Sequence, residues 1–223
     1  LRGVDLLSCV SGGSIAGATL ALNWTAGLDV AIARLDDYLR TKSVAVGAVV
    51  GGILDPFESR LDKLAESYDR DLFDRAALDA LKYGPRVYLN ATNLATGNMF
   101  FFVAGGGDAS EMGEYELGVV DARSFAISRA VAASSAFPPV FGPLRLDPDV
   151  YPPGRPVGYV TLSDGGVYDN LGINPGLRLE RNRLDYLITS DGGKPFTNVT
   201  EPTESGLAVL KAALDIMMEQ VRG

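Results

Sequence analysis

The chain has 223 residues, 47% of them hydrophobic and 22% charged, and carries a net charge of −8. That length suits one domain with a sizeable core, and the ordinary apolar and charged fractions exclude wholesale disorder. The acidic balance, without any cluster of lysine and arginine, argues against a nucleic-acid partner and gives no help toward anionic lipid surfaces.

Residues 4–10 form a short apolar run with one charge, Asp5, and lead straight into Ser11-Gly12-Gly13, which suits a buried strand ending at the top of a sheet. A helix is expected from about Ser11, with Ala16, Gly17, Ala18, Ala21 and Ala26 letting it sit close to neighbouring strands. A second is expected over residues 29–41, acidic at its start and basic at its end, as the helix dipole favours. Residues 44–54 are apolar, glycine-rich and uncharged, so they read as a buried loop or as the wall of a substrate channel; they are too short to cross a bilayer. Residues 55–82 are dense in charge of both signs. Phe57, Leu61, Leu64 and Tyr68 share one helical face there, so two amphipathic helices are expected.

Residues 86–93 and 98–103 read as two strands joined through a turn at Ala95-Thr96-Gly97. Gly105-Gly106-Gly107 reads as a flexible connector, because Asp108 and Glu111 beside it would repel a phosphate. Residues 123–136 read as a helix stopped by Pro138-Pro139, and residues 159–162 as a strand running into Ser163-Asp164-Gly165-Gly166. Residues 184–189 read as another strand and residues 207–221 as a closing amphipathic helix. The alternation predicts an α/β fold: a central, mostly parallel sheet with helices on both faces, residues 1–223 forming a single domain. Ligands gather at the carboxyl ends of strands in such sheets, and both Ser11 and Asp164 fall at such ends.

Cys9-Val10-Ser11-Gly12-Gly13 is an imperfect Gly-x-Ser-x-Gly nucleophile elbow, with cysteine in the first glycine's place. A shifted register would make Ser14 the nucleophile, but a serine one turn into a helix is better suited to capping or backbone bonding, so Ser11 is preferred. The structural alternative is that the serine turn is only a helix N-terminus. Imidazole is the usual base for a serine, and the chain has no histidine. Asp164, at a strand end and followed by two glycines, is the candidate base; its competing reading is an aspartate turn that bonds its own loop amides. Asp191-Gly192-Gly193 repeats the tripeptide and ranks second. Cys9, the single cysteine, cannot form an intrachain disulfide and reads as a small buried packing residue; without histidine a zinc site has no support.

Four segments in this order resemble the patatin-like phospholipase family: Val10-Ser11-Gly12-Gly13-Ser14; Asn90-Ala91-Thr92-Asn93-Leu94-Ala95-Thr96-Gly97; Ala132-Ala133-Ser134-Ser135-Ala136-Phe137-Pro138-Pro139-Val140-Phe141; and Asp164-Gly165-Gly166-Val167-Tyr168-Asp169-Asn170. The resemblance implies a three-layer α/β/α hydrolase of fatty-acyl esters, of phospholipase A, lipase or esterase type, needing neither metal nor cofactor. It maps the nucleophile to Ser11, the general base and acid to Asp164 and part of the oxyanion hole to the Gly12 N–H. The family also carries a glycine-rich Asp-Gly-Gly-Gly-x-Arg/Lys-Gly oxyanion loop ahead of the nucleophile, whereas ten residues precede Ser11, so an N-terminally truncated domain is expected. The implied partner is a fatty-acyl lipid ester, with peripheral membrane contact; residues 44–54 and 99–103 are candidates for touching the acyl chain. A cytoplasmic or membrane-peripheral location is expected, with secretion left open and oligomeric state unread. The competing function is a catalytically impaired module of the same fold that binds lipid or a protein partner. A conventional Ser-His-Asp hydrolase would need its histidine from outside this chain.

Overall fold

The computed structural model describes residues 3–51, 57–154, 156–178, 180–193 and 204–222. In chain order the elements are β1 (Leu6–Val10), α1 (Gly12–Leu22), α2 (Leu28–Gly51), α3 (Phe57–Asp71), β2 (Arg86–Asn93), β3 (Met99–Ala104), β4 (Glu111–Glu114), β5 (Gly118–Asp121), α4 (Ile127–Ser134), β6 (Leu144–Leu146), β7 (Val160–Asp164), α5 (Asn174–Leu177) and α6 (Gly206–Arg222). Seven strands form one sheet in the order β5-β4-β3-β2-β7-β6, with β1 also paired to β2. Among the described residues β1 and β2 run parallel, and every other pairing is antiparallel.

The sheet is thus curled and predominantly antiparallel, which corrects the expected mostly parallel sheet with helices on both faces. The expectation rested on the alternation of short apolar strands with helices, but that alternation does not by itself fix strand direction. Connection length does. Residues 94–98 alone join β2 to β3, and a parallel crossover needs a dozen or more. The layering differs as well. Val87, Leu89 and Ala91 of β2 with Phe100 and Phe102 of β3 face a core shared with Ala18 of α1, Leu64 of α3 and Val131 of α4. On the other face Tyr88, Met99, Phe101 and Val103 form a smaller cluster with Leu6, Tyr115, Val119 and Tyr168, residues of strands and loops rather than of long helices. Each buried phenylalanine contributes on the order of 1.5–3 kcal/mol, so β3 anchors both layers.

Three further expectations change. α2 continues to Gly51, so residues 44–51 are helical rather than a loop, and 52–54 lie outside the described residues. Residues 99–103 coincide with β3, where every residue is buried, so that segment is core and not an acyl-binding surface. Residues 184–189 make no strand; Tyr186 and Ile188 stand 89% and 92% exposed. Three apolar residues at alternate positions, Leu184, Tyr186 and Ile188, mimic a strand pattern, yet no ladder partner adjoins them.

One feature of the register positions the chemistry. Along one edge β2 pairs with β3; along the other, β1 occupies Arg86 to Asn90 and β7 occupies Ala91 to Asn93. β1 runs parallel to β2 and ends at Val10 opposite Asn90, while β7 runs antiparallel and ends at Asp164 opposite Ala91. Two strands distant in sequence therefore point their carboxyl ends at each other, opposite neighbouring residues of β2 separated by one strand step of about 3.3 Å.

Candidate active site

Ser11 follows β1 directly and opens α1. Its backbone has φ 53° and ψ −124°, outside the regions open to non-glycine residues at low cost, a conformation worth on the order of 1–3 kcal/mol of strain. The turn is tied down by the Ser14 N–H donating to the Ser11 carbonyl at 2.9 Å and the Ser11 N–H donating to Ser134 Oγ at 3.1 Å. Although Ser11 holds the N-cap position, its hydroxyl makes no capping hydrogen bond, so the helix-start alternative leaves that hydroxyl unused. Gly12 and Gly13 are exposed, and a Cβ on either would meet nothing within 4 Å. The approach to Ser11 is open on that side. Neither glycine N–H finds an acceptor among the described residues, as expected of a helix's first donors.

Cysteine in the first glycine's place is accommodated from across the packing. Cys9 leans its sulfur onto Gly17 of α1, where any Cβ would collide with it. Burial pushes the thiol up to about 12, so it stays protonated and unreactive at neutral pH.

Asp164 is fully buried. Its Oδ1 accepts the Gly166 N–H at 2.7 Å, its own N–H donates to the Ala136 carbonyl at 3.1 Å, and its carbonyl accepts from Thr92 Oγ1 at 2.8 Å. Gly165 lies so close to the Asn90 carbonyl that a Cβ there would overlap it, which explains a glycine after the aspartate. The aspartate-turn reading is therefore half right: one carboxylate oxygen serves the loop. Oδ2 is buried without a hydrogen-bond partner. The Ser11 hydroxyl lies beside the carboxylate, near enough to help hold its pKa down, yet without satisfying Oδ2. Burial outweighs the Ser11 and Gly166 contacts and raises Asp164 from 3.8 to about 6.

The two runners-up sit differently. Ser14 is buried, its Oγ 2.7 Å from Ser134 Oγ. Asp191 is exposed, its Oδ1 taking the Gly193 N–H at 2.8 Å.

The other landmark segments act as supports. Buried Glu114 accepts from Asn93 Nδ2 at 2.7 Å, Thr96 Oγ1 at 2.8 Å and Asn98 Nδ2 at 3.5 Å, which pins the β2–β3 turn. Asp169 takes the N–H groups of Gly172 and Asn174 at 3.0 and 2.7 Å and so fixes the loop after Asp164. Two neighbours escaped the sequence reading. Ser134 holds the serine turn, and Tyr68 of α3, its pKa raised first by burial and lowered by the Ser135 hydroxyl, also feels the charge of Asp164. Ser134 was visible within the third landmark segment, but nothing in the sequence tied it to Ser11.

A cavity of about 420 Å³ opens at the other end of the sheet, lined by Asp5, Trp24, Arg86, Asp108 and Arg183, where β1 and β2 begin rather than where β1 and β7 meet. Among the described residues no group of three acidic or sulfur ligands could hold a metal ion, and no helix is long and apolar enough to cross a membrane. A comparison with curated proteins found no match. The sequence profile of the patatin-like phospholipase family matches residues 1–177, a span that includes both the Ser11 turn and the Asp164 loop. Family members are lipid acyl hydrolases, and with most of its length matched the chain belongs to the patatin-like phospholipase family.

Proposed function

We propose that the protein is a serine acyl hydrolase that cleaves fatty-acyl ester bonds of lipids with Ser11 and Asp164 as its reacting pair. The observation that carries this reading is the unpartnered, buried Oδ2 of Asp164 beside a serine hydroxyl that caps nothing. A buried carboxylate oxygen without a partner is costly, and a proton-transfer role gives it a use. Ser11 Oγ attacks the ester carbonyl carbon while its proton passes to Asp164. The carbonyl oxygen gains the negative charge, which the Gly12 N–H at the start of α1 stabilises. Collapse of the tetrahedral adduct breaks the ester C–O bond, and Asp164 returns the proton to the departing alcohol. Water then attacks the acyl-serine, again giving its proton to Asp164. The second collapse releases the fatty acid and restores the Ser11 hydroxyl.

The raised pKa makes Asp164 about a hundredfold more basic than an exposed aspartate while leaving it ionised at neutral pH. The lipid substrate class comes from the family, and peripheral membrane contact fits it. The test is hydrolysis of fatty-acyl phospholipid and p-nitrophenyl acyl esters by the full-length protein and its Ser11→Ala variant. Turnover lost by a factor of about 10³ or more in the variant supports the reading. Acyl-lipid binding without turnover in the unmutated protein would instead favour the impaired binding module, and full activity in Ser11→Ala would reject Ser11.

A further inference from the structure

Ser134 stands at the last residue of α4, remote in sequence from both proposed reacting groups, and its hydroxyl is fully enclosed. A serine hydroxyl has one proton to donate and two lone pairs to accept with. The proton goes to the Asn90 carbonyl at 2.6 Å. One lone pair takes the Ser11 N–H at 3.1 Å; because the proton is already committed, the 2.7 Å contact with Ser14 Oγ has Ser14 as donor to the other. Every bonding position of Ser134 is used, and its partners belong to the serine turn, α1 and β2.

The same helix end also holds the aspartate. Two residues on, the Ala136 carbonyl accepts the Asp164 N–H at 3.1 Å and the Ser163 hydroxyl at 3.1 Å. Two residues with one between them, Ser134 and Ala136, therefore grip the chain at the ends of β1 and β7. Asn90, which receives the Ser134 proton, is the β2 residue opposite Val10 and adjacent to the Ala91 that faces Asp164.

We propose that Ser134 is the positioning residue that holds Ser11 in its positive-φ conformation and sets its hydroxyl against Asp164, an inference that rests on the Ser11–Asp164 reading. Without the acceptor on its N–H, Ser11 is free to relax to ordinary backbone angles, which turns its side chain away from the carboxylate. Ser14 also holds the Ser11 carbonyl through its backbone N–H, a bond that alanine keeps, but its hydroxyl bears on Ser11 only through Ser134. Its loss removes one donor and leaves the anchor in place.

The experiment measures the rate of Ser11 labelling by a fluorophosphonate, with the site mapped by peptide analysis, alongside kcat, KM and the pH profile on a p-nitrophenyl acyl ester. It compares the full-length protein with Ser134→Ala, Ser134→Cys and Ser14→Ala. Ser134→Ala is expected to lose about 10²-fold in both labelling rate and kcat at unchanged KM and unchanged pH midpoint, the scale of effect that a misplaced reacting group produces. Ser134→Cys, which keeps the shape and a weak acceptor, is expected to fall between, and Ser14→Ala to lose much less than Ser134→Ala. Should Ser134→Ala fail to fold, Ser134→Cys carries the same comparison. Wild-type labelling rates in the folded Ser134 variant, or equal losses in the Ser134 and Ser14 variants, would overturn the positioning role alone. If the unmutated protein is not labelled at Ser11, the Ser11–Asp164 reading falls and the role of Ser134 with it.

Discussion

Asp164-Gly165-Gly166 and Asp191-Gly192-Gly193 are the same tripeptide in two settings. Both aspartates use Oδ1 to accept the N–H two residues on, at 2.7 and 2.8 Å, so the local turn is the same. Everything beyond that turn differs. Asp164 ends β7, lies buried against the Ser11 turn and has an unpartnered second oxygen; Asp191 is exposed, beyond a stretch that pairs with no strand. The tripeptide encodes a turn, and the sheet register decides where that turn places its carboxylate. β1 and β7 meeting end to end on one edge of β2 is what turns one aspartate, and not the other, toward a serine.

Substitution at the two positions should break the symmetry in a set order. The largest contrast is in turnover: Asp164→Asn should cost about 10³–10⁴-fold in kcat on an acyl ester, the scale of disabling one member of a reacting group, while Asp191→Asn leaves it intact. Next is the glycine that follows. Gly165→Ala places a Cβ on the Asn90 backbone and should destabilise by about 3 kcal/mol or more in a denaturant titration, whereas Gly192→Ala, with nothing within 4 Å, should stay within about 0.5 kcal/mol. Equal effects would show that the Asp164 loop is not pressed against β2.

A smaller effect carries an opposite sign. Asp164 titrates near 3.8 in the unfolded chain and at about 6 in the folded one, so the folded state holds its proton more tightly. Its contribution to stability therefore declines as pH rises from about 4 to about 6 and remains a constant penalty above that range. Asp164→Asn removes the penalty and should gain up to about 3 kcal/mol at pH 7, with the gain vanishing below pH 4; thermal melts across pH measure it. A loss of stability in Asp164→Asn at neutral pH would contradict the burial cost assigned to the carboxylate. The smallest effect is at Cys9, whose thiol is held at about 12: iodoacetamide should modify it only on unfolding, and rapid alkylation of the native protein would contradict its packing on Gly17.

The same contrast explains how much the sequence disclosed. Ser11 and Asp164 were legible because each sits where an apolar run breaks into glycines, a pattern with local physical causes. The β2–β3 hairpin was legible from its turn, and that turn already opposed a parallel sheet, but the alternation of short apolar strands with helices along the rest of the chain imitated one. The false strand at residues 184–189 had the apolar pattern without a partner. Ser134 and Tyr68 could not be read, because their significance lies in contacts between residues far apart in the chain. Nor could Glu114, a buried carboxylate whose donors come from the turn before β3.

The central claim is that Asp164 is the base for Ser11, and the pH dependence of fluorophosphonate labelling at Ser11 tests it most directly. The account predicts that the rate in the full-length protein rises with a midpoint near pH 6, following the raised pKa of Asp164, and that Asp164→Asn abolishes the rise and slows labelling by about 10³-fold. Labelling of Ser11 in Asp164→Asn at the unmutated rate, with the same midpoint, would contradict it.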